Sequence, residues 1–145
     1  QAAGSKQVIE LHGSTSTLSC MTCEISVASS KLDLERERPP ECRHCSAYLR
    51  PDIVYFGESL PGAAFDTALA GIRMCDMLLS IGTSSMVFPA AGLPQKAYSS
   101  AKPIVEFNLE RTELTASGMV SHFIQGDVEK TLPELVAVLR RLRID

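Results

Sequence analysis

Two C-x-x-C pairs, Cys20 with Cys23 and Cys42 with Cys45, stand eighteen residues apart, and no other feature restricts the fold of this chain as strongly. One tight turn presents two thiolates and a tetrahedral ion needs two such turns, so the spacing predicts a structural zinc ribbon. Two disulfides or a redox C-x-x-C are the competing readings. The opening Gln1-Ala2-Ala3-Gly4-Ser5 lacks a charged-then-apolar leader pattern, and no apolar run approaches the ~20 residues that span a bilayer. A reducing, cytoplasmic setting with no membrane contact is therefore expected, which favours metal over disulfides. Between the pairs, Glu24 to Glu41 carries Lys31, Asp33, Glu35, Arg36, Glu37 and Arg38 and ends in Pro39-Pro40. So few apolar residues predict a solvated excursion without a core of its own, stapled by the metal. The fifth cysteine, Cys75, reads as a small buried hydrophobe.

The remaining sequence is ordinary for a folded domain: 145 residues, 45% of them hydrophobic. A net charge of -3 gives no basic footprint, so nucleic acid is not expected as a direct ligand.

Strand and helix patterns alternate along the chain. Val8-Ile9-Glu10-Leu11 reads as a strand ended by a turn at His12-Gly13-Ser14, and Ile53-Val54-Tyr55-Phe56 as a second, closed by Gly57-Glu58. A helix is predicted over 62–74, with Phe65, Leu69 and Ile72 on one face. Met77 to Ile81 follows as an apolar strand of the kind buried on both faces of a parallel sheet. A helix from Pro89 to Tyr98, bent at Pro94, leads to the strand Ile104 to Phe107. After a last strand, Phe123-Ile124-Gln125, a capping box at Thr131-Leu132-Pro133-Glu134 opens a helix with Leu135, Val138, Leu139 and Leu142 on one face. The pattern predicts an α/β fold with an open parallel sheet of the doubly wound kind.

Ligands of open parallel sheets bind at the carboxyl ends of the strands. Three such ends carry suitable residues here: Gly82-Thr83-Ser84, Asn108 with Glu110, and Gly126-Asp127-Val128. Each alone is ordinary turn chemistry, but three in register along one edge predict a nucleotide site. No G-x-G-x-x-G or Walker loop is present to cradle a pyrophosphate. Among the histidines, His12 reads as a turn residue, His44 as a surface residue inside the second cysteine turn, and His122 has no evident partner. None is a convincing general base.

Taken in order, Ala3-Gly4-Ser5, Glu10-Leu11-His12-Gly13-Ser14, the two C-x-x-C pairs, Leu49-Arg50-Pro51 with Val54-Tyr55-Phe56-Gly57-Glu58, Gly82-Thr83-Ser84-Ser85 with Pro89-Ala90-Ala91, and Glu106-Phe107-Asn108 resemble the sirtuins, NAD-dependent protein deacylases, of the bacterial and mitochondrial class. The resemblance implies a Rossmann-type domain made from residues 1–15 and 49–145 with an inserted zinc-ribbon module at residues 16–48, NAD and zinc as cofactors, and an acyl-lysine protein or peptide as substrate. It implies dinucleotide contacts from Gly82, Thr83 and Ser84, ribose contacts from Asn108, Leu109 and Glu110, and a backbone contact to adenine from Val128. Val54, Phe56, Gly57 and Glu58 would receive the peptide as an added strand. Cys20, Cys23, Cys42 and Cys45 would hold a zinc with no open position. The family's catalytic histidine would stand immediately before Gln1, so no catalytic residue is expected within this chain, and the N-terminal portion of the same polypeptide is its expected partner. The alternatives are a non-catalytic zinc-stabilised module that binds a peptide or partner, and an NAD-consuming hydrolase or ADP-ribosyl transferase on the same fold.

Overall fold

The computed structural model describes residues 1, 3–36 and 39–142. Of the charged residues expected in the excursion, Glu37 and Arg38 lie outside them. The chain divides into two compact units, Gln1–Ala64 and Phe65–Asp145.

The first unit is built on an antiparallel sheet in which β1 (Gly13–Cys20) lies between β2 (Ser26–Ala28) and β3 (Leu49–Ile53). Leu18 pairs with Val27 on one side and Pro51 on the other, and the register shifts between Ser14 and Leu18. Pro51 has no N–H to give, and it sits on an edge strand where none is needed. Leu18, Cys20, Cys42 and Leu49 are buried together, with Val27, Leu32 and Ala47 packed against them. All four buried residues lie on either side of the excursion, which contributes only the half-buried Val27 and Leu32 and has no buried core residue of its own.

Two strand expectations fail in this unit. Val8 to Glu10 makes no strand and leaves Val8 and Ile9 exposed. β-branched residues favour a pleated, half-buried surface, and no strand lies beside them among the described residues. The ladder starts instead at Gly13, after a turn closed by the Gly13 N–H on the Glu10 carbonyl. At the other end β3 stops at Ile53, since the Tyr55 N–H is taken by the Glu58 carboxylate and Phe56-Gly57 forms a turn.

α1 (Gly62–Met74) runs over the predicted residues and into the second unit. There, β4 (Leu78–Ile81), β5 (Ile104–Asn108) and β6 (His122–Gln125) form a parallel sheet in that order. α2 (Gly92–Ser99), α3 (Glu113–Ala116) and α4 (Val128–Leu142) follow the three strands in turn. Ile72, Ala97, Ile104 and Leu114 form the core, with Leu78, Leu93, Met119 and Val120 against it. β5 is buried over Ile104 to Phe107, as a central parallel strand should be. β4 is not buried on both faces: Leu79 and Ile81 remain 43% and 40% exposed.

Two helix starts differ from expectation. α2 begins at Gly92, which puts Pro94 in its first turn, where a missing N–H breaks no bond, so no bend follows. α4 begins one turn before the capping box. Asp127 Oδ1 accepts the Glu129 N–H and caps the helix, while the Thr131 hydroxyl donates to the Asp127 carbonyl. Leu139 and Leu142 on its apolar stripe are 43% and 64% exposed, so the stripe is only partly covered. No helix among the described residues is long and apolar enough to cross a membrane.

Candidate functional site

The cysteine centre starts with two turns of the same design. In each, the residue after the second cysteine, Glu24 or Ser46, donates its N–H to the carbonyl of the first, Cys20 or Cys42, and takes a positive φ of 57° or 59°. Each turn thereby aims two sulfurs to one side. Cys20 and Cys45 Sγ lie 3.4 Å apart, Cys23 and Cys42 3.6 Å, and Cys23 and Cys45 3.7 Å. All four lie within 4.8 Å of one another. A zinc ion with Zn–S bonds of about 2.3 Å in a tetrahedron sets sulfurs roughly 3.8 Å apart, so the donor set fits. A disulfide needs about 2.05 Å, and all five cysteines are free thiols, which removes the disulfide reading.

The electrostatics point the same way. The N–H groups of Cys23 and Thr22 hold the Cys20 thiol down at about 6, and those of His44 and Cys45 hold Cys42 below the usual thiol range. Burial, with the neighbouring Cys20 sulfur, pushes Cys23 up to about 12. At Cys45 the Ala47 N–H acts downward, but the Cys20 sulfur and burial outweigh it and the thiol is raised. Half the tetrad gives up its protons readily and half retains them; a dication supplies the charge with which all four ionise. His44 is exposed and stands outside the tetrad.

In the second unit the carboxyl ends of the three parallel strands are tied into one edge. Gly82, at φ 59°, donates its N–H to the Phe107 carbonyl. Asn108 Nδ2 donates to the Thr83 carbonyl while its Oδ1 accepts the Leu109 N–H. The Gln125 amide donates to the Leu109 carbonyl, and the Gly126 N–H to the Asn108 carbonyl. Thr83 Oγ1 accepts the Ser85 N–H. Gly82, Thr83, Asn108, Leu109 and the turn before Val128 are thus brought together, with Ser84 and Glu110 exposed on the same loops. Both ends of the Asn108 amide are engaged within the chain, so it acts first as a strut between loops. Sequence reasoning missed Gln125, and it missed Glu106, whose signal was a lone acid in an apolar strand.

The segment after β3 has its own clamp. Arg50 donates to Glu58 at 2.5 Å and to the Ile53 carbonyl at 3.1 Å, and lies 4.6 Å from the centre of the Tyr55 ring. The Val54 N–H goes to the His12 carbonyl, and Phe56 is 95% exposed. The Arg50 hydrogen bond, then the Tyr55 N–H, hold the Glu58 carboxyl below its usual range. A depressed carboxylate stabilises above its unfolded pKa, about 4.3, and that contribution is lost as pH falls through the lower folded value. The Tyr55 amide-nitrogen shift is therefore expected to titrate with a midpoint below about 4.3, and in Arg50→Met that midpoint moves back up. An unmoved midpoint would show that Arg50 does not hold this carboxylate.

Comparison with known proteins adds four relations. The Sir2 family model matches residues 1–89. NAD-dependent protein deacylase 2 of Pyrobaculum aerophilum is 42% identical over 145 residues, covering 99% of this chain and 56% of the relative. NAD-dependent protein deacylase Sir2 of Mycolicibacterium smegmatis is 38% identical over 146 residues, 98% of this chain and 60% of the relative. Among solved structures, Sir2Af2 bound to a myristoylated histone peptide superposes with a TM-score of 0.87 at 35% identity, covering 97% of this chain and 60% of that one. The chain thus spans somewhat over half the length of the proteins it resembles.

Proposed function

This chain belongs to the Sir2 family, and from that premise we propose that it forms part of an NAD-dependent protein-lysine deacylase, acting with a further portion of the same polypeptide that supplies the general base. The observation that carries this reading is the single edge made by the carboxyl ends of β4, β5 and β6, bound together through Asn108. The relatives' names supply the reaction class, and the histone peptide of the solved relative supplies the acyl-lysine substrate.

In this reading Gly82, Thr83 and Ser84 bind the dinucleotide, Asn108, Leu109 and Glu110 meet the adenosine ribose, and the Val128 backbone meets the adenine. The substrate peptide pairs along Val54, Phe56, Gly57 and Glu58, with Glu58 shaping the loop through Arg50 as well. NAD supplies the ribose carbon that receives the acyl group as nicotinamide leaves. Cys20, Cys23, Cys42 and Cys45 hold zinc with every position filled by protein, so the ion stabilises the ribbon and takes no part in the chemistry. Residues 16–48, which hold all four cysteines, are the zinc-ribbon insertion in a Rossmann-type domain made from residues 1–15 and 49–145.

The test is chromatography of the products formed from NAD and an acetyl-lysine peptide. Full-length polypeptide is expected to give nicotinamide and O-acetyl-ADP-ribose in equal amounts, and the chain alone to give neither. Free ADP-ribose formed without peptide would make the protein a hydrolase. Peptide binding without nucleotide binding would make it an adaptor module.

A further inference from the structure

Glu106 lies in the middle of β5 and is completely buried. Its neighbours in the strand are Ile104, Val105 and Phe107, and an apolar side chain there would need no partner. A buried carboxyl group costs heavily unless donors reach it. Two do: the Thr112 hydroxyl donates to Oε1 at 2.6 Å, and the Thr115 hydroxyl donates to Oε2.

The Thr112 bond comes at the expense of a local one. Thr112 is the N-cap residue of α3, and its side chain makes no capping hydrogen bond, because the hydroxyl is drawn to Glu106 instead. The consequence falls on the loop between strand and helix. The chain leaves β5 at Asn108, which is tied to Thr83 and Leu109; Gln125 holds the Leu109 carbonyl; and the chain is caught again at Thr112. Three residues, Leu109, Glu110 and Arg111, lie between the two anchors. Glu106 thus stands beneath the sheet edge and fixes the far end of the loop that carries Glu110.

We propose that Glu106 is a positioning residue for nucleotide binding: through Thr112 and Thr115 it sets the conformation of the Asn108–Arg111 loop, and with it the place of the adenosine ribose. This inference rests on the reading of that loop as the ribose site. Ser80 provides an internal control. It is the register neighbour of Glu106 on β4, is equally a buried polar residue of that face, and its hydroxyl makes no hydrogen bond. It is therefore no part of the latch.

The experiment is calorimetric titration of ADP-ribose into the full-length polypeptide, with thermal melting of each variant alongside. Glu106→Leu is expected to weaken ADP-ribose by roughly tenfold to a hundredfold, leaving acetyl-peptide affinity unchanged. Glu106→Leu combined with Thr112→Val and Thr115→Val replaces the polar cluster by apolar groups, which restores the melting temperature but not the affinity. Glu106→Gln keeps one acceptor, folds, and loses affinity by several-fold. Ser80→Ala binds as the parent does. Recovery of affinity together with stability in the triple variant would overturn the proposal, as would an unweakened Glu106→Gln or a Ser80→Ala as weak as Glu106→Leu. Failure of the parent protein to bind ADP-ribose would instead remove the ribose-site reading on which the proposal stands.

Discussion

Cys42→Ser is expected to empty the cysteine centre of zinc and to unfold the small core around it, while Cys75→Ser does neither. The reason is how little else holds that core. Its four buried residues are Leu18, Cys20, Cys42 and Leu49, so half of them are also proposed ligands. The flanking β2 is three residues long and has few partners. A sheet of this size buries too little apolar surface to stand by itself, and for such modules metal-binding energy is folding energy. Serine at position 42 removes one of four thiolates and leaves a hydroxyl in a site that is 3% exposed. Cys75 donates only to the Ile72 carbonyl, outside the tetrad. Metal analysis of purified protein should give one zinc per chain for the parent and for Cys75→Ser, and below about a tenth of that for Cys42→Ser. The amide resonances of Leu18, Val27 and Leu49 should lose their dispersion in the same variant. Full zinc content in Cys42→Ser would refute the four-cysteine site.

Where local chemistry decides the structure, the sequence was legible. A C-x-x-C pair specifies its own turn, and the pairs required nothing distant except each other. α1 followed from helical spacing over residues 62–74. The parallel sheet followed from the alternation of strand and helix patterns, although the apolar run of β4 did not mean burial on both faces. Where a partner decides, the sequence misled. Val8 to Leu11 has the composition of a strand, yet a strand is a pairing, and composition does not name the partner. The start of α4 shows a different failure. Thr131-Leu132-Pro133-Glu134 and Gly126-Asp127 are both good helix openings, and only the structure shows Asp127 capping first and adding a turn.

The candidate site divides along the same line. The ends of β4, β5 and β6 marked the residues of the edge, since strand ends are local events. What those residues do for one another is not local. Asn108 reads as a ligand for ribose and acts as a strut between two loops; Glu58 reads as a peptide contact and closes a clamp with Arg50 eight residues away. Glu106 was visible as a letter in I-V-E-F-N, but its donors come from Thr112 and Thr115 after the chain has turned.

Gly13→Ala is expected to cost the first unit about 3 kcal/mol or more. Gly13 opens β1 opposite Ile53, at φ 73°. An added Cβ would lie 2.0 Å from the Asp52 carbonyl oxygen and 2.9 Å from Ile53 Cα. Both are backbone atoms of the partner strand, so no side-chain rotation relieves the clash. Gly82 separates the two costs of such a change: its φ of 59° is similarly unfavourable to an L-residue, but nothing lies within 4 Å of its would-be Cβ, so Gly82→Ala should cost only about 1 kcal/mol. Urea unfolding followed through the Leu18 and Leu49 resonances should show a lowered midpoint with an unchanged slope for Gly13→Ala. A midpoint equal to the parent's would mean that β1 and β3 part at this point without loss. The effect should also reach the proposed peptide segment. The His12 carbonyl beside Gly13 holds the Val54 N–H, so strands forced apart at Gly13 release Val54 first, and peptide affinity should fall even at urea concentrations where the first unit remains folded.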